Sequence, residues 1–290
     1  MLYCVEVRYT EVRGSGDSLP RRKWRFMKNT LIFAILLCVN GGLFAGEIGC
    51  VYQAVNAEIM KSGTAQSWQP VKKAMPFSEG DRIRTGRKGY CEILIKDGTF
   101  IKVDERSELS AAELKLEAAA APEREAGSGQ KPQEAQSPAG RNYVFSFLSG
   151  KAMWLAAKFK SAVSSKFEVR TPSAVCAVRG TAFSVAVSSQ DTAVGLFEGN
   201  LAVASGEETR ELAQGTEAAV SSGTVTVQPR LSRLMEVENK RYLKLKNRVE
   251  ELRKKLAKRD DFIDSFLAAQ DRKISDYEKR RAEKLGKLSK

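Results

Sequence analysis

The sequence predicts an all-β domain, solenoid-like or twisted and built of short strands, followed by a C-terminal α-helical segment with a coiled-coil pattern. Three observations carry this expectation. Between Gly46 and Val227, runs of β-branched and aromatic residues alternate with polar ones. Asp97-Gly98, Ser149-Gly150, Glu198-Gly199 and Ser222-Gly223 punctuate those runs, as in ILIKDGTFIKV, and read as repeated strand-turn-strand units. From Arg230 onward the alternation stops. There Tyr242, Leu245, Val249, Leu252, Leu256, Ile263 and Phe266 recur in steps of three, four or seven, the spacing of a heptad seam.

The N-terminal end reads as two pieces. Met27-Lys28-Asn29-Thr30 leads into the apolar run Leu31 to Val39, then Asn40-Gly41-Gly42, then Leu43-Phe44-Ala45 before Gly46. A basic start, a short apolar stretch and a small residue at the cut describe a secretory signal peptide over 27–45, cleaved after Ala45. The apolar run is far shorter than the ~20 residues a membrane-crossing helix needs. An uncleaved membrane anchor is the alternative reading. Residues 1–26 fit poorly in front of such a peptide and read as an N-terminal extension.

Residues 46–227 read as the β domain. Within it, residues 110–140 turn to Ala, Glu, Pro, Gly and Gln, a composition that cannot bury a core and predicts a flexible insertion opened by a short helix. A linker between two independent domains is the other reading of that stretch. Residues 230–290 form the basic helical tail. A helix folded back on its own β domain is the alternative to an oligomerising one.

Charge separates the ends from the middle. The net charge is +13, of which roughly +4 falls on residues 1–28 and roughly +9 on residues 230–290. The β domain is then close to neutral, and a nucleic-acid interface is not expected. A basic tail suits peripheral contact with a membrane or a cell-wall polymer.

The chain contains no histidine. That excludes Ser-His-Asp and Cys-His catalysis and removes the commonest metal ligand. Cys50, Cys91 and Cys176 remain after the signal peptide, and their spacing matches no zinc pattern. Cys91 alternates with Ile93 and Ile95 as a core residue would, and one disulfide among the three is left open. No motif calls for a cofactor. Carboxylate catalysis would need two acids among Asp81, Asp97, Asp104 and Glu198 sharing one cleft.

The stretch FEVRTPSAVCAVRGTAFSVAV, Phe167 to Val187, is the most distinctive. Pro172 restricts the residue before it, so Thr171 should end a strand. Gly180 lets the backbone turn. Arg179 and Thr181 are expected to satisfy backbone groups nearby, with an exposed, anion-binding Arg179 as the alternative. Trp68, Phe100, Trp154, Phe183 and Phe197 are expected in the core, with a sugar-binding groove as the alternative.

GDRIRTG (80–86), ILIKDGTFIKV, VRTPSAVCAVRGTAF, LFEGNLAV (196–203) and LAQG (212–215) follow one another in an order that resembles the FecR domain. The likeness runs from Gly46 to Gly223 outside the insertion. Thr171, Pro172, Arg179, Gly180, Thr181, Gly199 and Gly215 fall on its signature. The resemblance implies an extracytoplasmic β domain without enzymatic activity. Its better-known members relay the state of an iron-siderophore transporter to a sigma factor through a cytoplasmic segment. Twenty-six residues before Met27 are too few for that segment, which points to a secreted branch of the family.

The expected function is therefore that of a non-enzymatic exported envelope protein. Its β domain would bind an envelope protein or glycan, and its tail would oligomerise or tether it. A membrane-anchored signal transducer of the anti-sigma type, linked to iron transport, is the alternative.

Overall fold

The computed structural model describes residues 48–63, 67–117, 140–158, 165–189, 191–259 and 261–288. The N-terminal extension, the signal peptide and most of the insertion lie outside them. The described strands are β1 (Gly49–Met60), β2 (Gln69–Pro70), β3 (Pro76–Phe77), β4 (Arg82–Ile95), β5 (Phe100–Val103), β6 (Glu108–Glu117), β7 (Gly140–Leu155), β8 (Lys166–Arg170), β9 (Val175–Ser188), β10 (Asp191–Ser205), β11 (Glu208–Leu212), β12 (Glu217–Ser221) and β13 (Thr224–Gln228). Helices α1 (Arg233–Lys258) and α2 (Phe262–Leu288) follow. The class is the expected one, mostly β with a helical C-terminus.

The strands form one 13-stranded sheet, ordered β13-β12-β10-β9-β8-β7-β5-β4-β1-β2. All pairings are antiparallel except β7 with β8. Two strands, β7 and β10, are longer than expected, because two of the four Gly signals are bends inside a strand and not turns between strands. Asp97-Gly98 and Ser222-Gly223 do make hairpins, β4–β5 and β12–β13. Gly150, however, lies within β7 and Gly199 within β10, at φ +88° and +91°. A left-handed residue inside a strand bends it without ending its ladder, and glycine adopts that conformation at least cost.

The bends let each long strand serve two neighbours in succession. The first part of β7 pairs with β6 and β8, and its last part with β5 and β9. Likewise, Thr192 to Gly195 of β10 pair with β12, whereas Leu201 to Ser205 pair with β11. The Ala213–Thr216 turn patches the gap: Gly215 N donates to Leu196 O at 2.9 Å and Leu196 N to Thr216 O at 3.1 Å. Bending is severe enough to bring the ends of β10 together. Ser173 Oγ lies 2.7 Å from Thr192 Oγ1, and Ser205 Oγ donates to Ser173 O at 2.8 Å.

The start of the insertion differs from expectation. Residues 110–117 continue strand β6 and do not form a helix. Their Ala, Glu, Leu and Lys favour helix in isolation. Pairing with β4 and β7 buries Leu109, Ala111 and Leu114, and that tertiary gain overrides local propensity.

The curled sheet encloses the main core. Val51, Ile93, Ile101, Phe145, Phe147, Trp154, Val169, Phe183, Leu196 and Val220 all point into it, so both halves flanking the insertion share one interior. Phe147 meets Trp154 edge-on, and Trp154 stacks on Phe183 at 5.3 Å. Intervening residues face outward and are apolar too: Cys50, Leu94, Phe100, Met153, Leu155 and Phe197 form a second cluster. Strands apolar on both faces need a second layer to cover them, and the helices supply it. Tyr242, Val249, Leu252 and Ile263 are buried there, with Leu245, Leu256 and Phe266 packed alongside.

The heptad seam is thus spent on the chain's own sheet. A helix-to-helix coiled coil is not formed among the described residues, and the fold-back alternative is the arrangement observed. Its physical basis is supply and demand of apolar surface: the outer face of the sheet requires a cover, and the seam is the apolar stripe that fits it. Beyond Leu267, α2 is largely exposed. Among the described residues no helix is long and apolar enough to cross a membrane.

Candidate interaction site at the signature corner

The signature corner is a double bulge. Arg179 pairs with Asn200 and Ala182 with Glu198, leaving Gly180 and Gly199 opposite each other and outside the regular ladder. Both have positive φ, +64° and +91°. A Cβ on Gly199 would stand 2.8 Å from Gly180 O and 2.9 Å from the Thr181 methyl, so the two strands approach closely only because it is absent. Bulges re-aim side chains. Here the one between Leu196 and Asn200 directs Glu198 toward α1.

Glu198 receives that helix through two donors. Tyr242 Oη donates to Glu198 Oε2 at 2.5 Å, and Lys246 Nζ at 2.7 Å. Lys158 stands 3.7 Å from the other oxygen. The Lys246 and Tyr242 hydrogen bonds hold the Glu198 carboxyl down to about 2. Burial, then the bond to Glu198, raises the Tyr242 phenol, and the Glu198 bond raises Lys246. Phe197, on the outer cluster beside Glu198, stacks on the Tyr242 ring at 5.7 Å.

Further contacts fasten the rest of α1. Ser232 caps its N-terminus, accepting from Met235 N. Met235 lies over Gly195, where a Cβ would come within 2.9 Å of its sulfur. Buried Glu238 takes Lys151 at 2.6 Å, buried Glu92 takes Arg248 at 2.7 Å, and Arg253 donates to Gly98 O and Leu155 O at 3.0 and 2.8 Å. Lys96 and Asp264 pair at 3.0 Å near the start of α2.

Between the corner and α1 lies a groove of about 610 Å³, lined among others by Thr181, Lys158, Glu198, Lys246 and Arg253. Thr181 is almost fully buried, yet its hydroxyl has no hydrogen-bond partner among the described residues. Arg179 is exposed, and its side chain makes no ion pair or hydrogen bond among them. The expected satisfaction of backbone groups by Arg179 and Thr181 is therefore not what the structure shows. The bulge turns one outward to solvent and the other toward the groove.

Thr171 and Pro172 of the signature lie at a turn. Thr171 ends the β8 segment as expected. It closes a turn in which Thr171 N donates to Ala174 O at 2.8 Å and Ala174 N to Thr171 Oγ1 at 2.9 Å. Its hydroxyl also lies 2.9 Å from Thr192 Oγ1. Pro172 is exposed on that turn.

Phe100, Trp154, Phe183 and Phe197 are buried, which removes them from any sugar-binding groove. Trp68 is half-buried beneath Arg84, 4.3 Å from its ring.

The acids do not assemble into a catalytic pair. Asp81 takes Lys61, Asp97 takes buried Arg141, Asp104 takes Lys151 and Arg241, and Glu198 takes Lys246. The four acids thus sit apart, each beside cations, and Asp104 shares Lys151 and Arg241 with Glu238. Among the described residues no group of three or more acids or cysteines could hold a metal ion. Cys50, Cys91 and Cys176 are free, buried thiols. Burial pushes Cys50 and Cys176 up to about 12 and Cys91 upward as well.

Sequence reasoning missed Glu198, Lys246 and Arg253 as docking residues. One signal was legible: the strand segments CEILI, KAMWLAA and GLF are apolar at successive positions, which a half-solvated strand would not be.

The arrangement is thus a curled, bulged β domain with its own C-terminal helix seated on the bulge. Residues 81–202 match the family described as FecR protein. Two crystal structures, each described as a putative anti-sigma factor from Parabacteroides distasonis, are similar to this chain at 16% and 18% identity. Both have a TM-score of 0.37, and the alignment covers 51% of this chain and 59% of theirs. No curated protein matches the sequence.

Proposed function

We propose that this chain is a non-enzymatic, exported FecR module that binds a protein or glycan of the bacterial envelope and is tethered through its C-terminal segment. The observation carrying the reading is the division of labour at the signature corner. Glu198 is committed to α1, whereas Arg179 is exposed beside it without a partner. An arginine held at a rigid bulge, unspent within the chain, suits recognition of a carboxylate or phosphate on a partner. Self-paired acids and the absence of histidine support a binding role over a catalytic one.

In this reading α1 is a fixed part of the binding body, and α2 carries the tether. Peripheral contact of the basic tail with membrane or cell wall, and pairing with a second copy through α2, belong to the same proposal. Mass spectrometry of the native protein tests export: a mature N-terminus at Gly46 is expected. An intact N-terminus in the membrane fraction would instead support an anchored regulator of the anti-sigma type, the second reading, which the FecR assignment favours. Crosslinking from Arg179 tests the interface, because loss of all envelope crosslinks in Arg179→Ala is expected.

A further inference from the structure

A second concavity lies on the other flank of α1, against its N-terminal half. Its volume is about 660 Å³, and its walls come from the bend of β4, the β5–β6 turn, the Gly150 bend of β7 and helix α1. Lys88, Lys102, Arg106, Lys151, Arg241 and Lys244 line it, against two carboxylates, Asp104 and Glu105. Some of this charge is spent locally. Lys151 and Arg241 are shared by two carboxylates, buried Glu238 at 2.6 and 3.0 Å and Asp104 at 3.4 and 3.1 Å, and Lys102 reaches Glu92 at 3.6 Å. Glu105 accepts from the backbone N–H of Lys88 at 2.5 Å. The side chains of Lys88, Arg106 and Lys244 have no ion-pair partner among the described residues.

Backbone conformation adds an independent observation. Lys88 and Arg106 both have left-handed φ, +58° and +53°. That region is strained for a long L-residue and easy for glycine. The strain is held by close packing. Arg106 N donates to Gly86 O, and a Cβ on Gly150 would come within 2.2 Å of Ser107 Oγ, so the turn is clamped against β7. Two strained positions facing the same concavity each carry a cation where glycine would be easier.

We propose that this concavity is a binding site for a polyvalent phosphate-type anion. Lysines act as point charges suited to phosphate oxygens, and several around one cavity favour a ligand with more than one phosphate charge. Such a group occurs both on soluble phosphate polymers and on anionic lipid headgroups. Exposed Leu234 at the rim is compatible with either source. The site is separate from the signature corner and does not depend on how the chain is exported.

Titration of the full chain with inorganic pyrophosphate, followed by calorimetry at low salt, tests the solution source. Flotation with phosphatidylglycerol vesicles, against phosphatidylcholine vesicles, tests the headgroup source. Saturable binding in at least one arm is expected, weakened tenfold or more by Arg106→Gln with Lys244→Gln. Lys255→Gln, an exposed cation further along α1, should leave it unchanged. Lys88→Gly separates function from folding: the thermal midpoint should hold or rise while binding falls. Absence of binding in both arms, or equal weakening by Lys255→Gln, would overturn the proposal.

Discussion

Tyr242 of α1 donates its phenolic proton to Glu198, the residue just before the Gly199 bend, across 44 positions of sequence. A side chain aimed by the bulge at Gly180 and Gly199 thus receives the helix that follows the β domain. Glu198→Gln keeps the shape and removes the charge that Lys246 also uses. At this part-exposed site the expected loss is about 1–2 kcal/mol in urea unfolding. Leu252→Ala, which hollows the same interface, is expected to cost about 2–3 kcal/mol.

The docking is expected to depend on acid. The folded-state value of Glu198 is lowered to about 2 from an ordinary 4.5, so its contribution is complete above pH 4.5 and fades as pH falls toward 2. Hydrogen exchange of the α1 amides should therefore be flat from neutral pH to about 4.5, after allowance for intrinsic exchange, and rise below it. In Glu198→Gln that rise should be smaller.

Glycines at bends and at open turns are expected to respond differently to alanine. Gly150→Ala combines a left-handed φ with overlap on Ser107, and a loss above about 2 kcal/mol is expected. Gly206→Ala has φ +58° and nothing within 4 Å of the new methyl, so about 1 kcal/mol is expected. Thermal midpoints of the two variants check the order.

The three thiols should be silent in the native state. Cys50, Cys91 and Cys176 are fully buried with raised pKa values, so iodoacetamide at pH 8 should label none of them until denaturant is added. Rapid labelling of Cys50 alone would report detachment of the helices, because it belongs to the outer cluster they cover.

Truncation before α1 should expose that cluster. A chain ending at Gln228 leaves Leu94, Phe100, Met153, Leu155 and Phe197 uncovered. Increased binding of a hydrophobic dye and loss of solubility are expected, whereas the intact chain should show neither.

The all-β class, the end of β8 near Thr171, the hairpins at Asp97-Gly98 and Ser222-Gly223 and the helical C-terminus were all legible in the sequence. Each rests on local chemistry: proline restricts its predecessor, glycine opens a turn, and apolar period reports the element. Locality is also why the reading failed at Gly150 and Gly199. A glycine permits a left-handed residue, but only the neighbouring strands decide whether the ladder stops there or continues around a bend. The same holds for Ser110 to Glu117, whose helix-favouring composition yields to pairing with β4 and β7.

By itself the sequence determined a domain of strands followed by a helix with one apolar stripe; that the strands are apolar on both faces emerged from the structure. Tertiary structure alone decided that the two belong together. A heptad seam satisfies a second helix or a sheet equally well, because burial of apolar area is not directional. What selects the sheet is directional chemistry at fixed points, namely Glu198 meeting Tyr242 and Lys246, and Glu238 meeting Lys151, and such points exist only once the strands have bent.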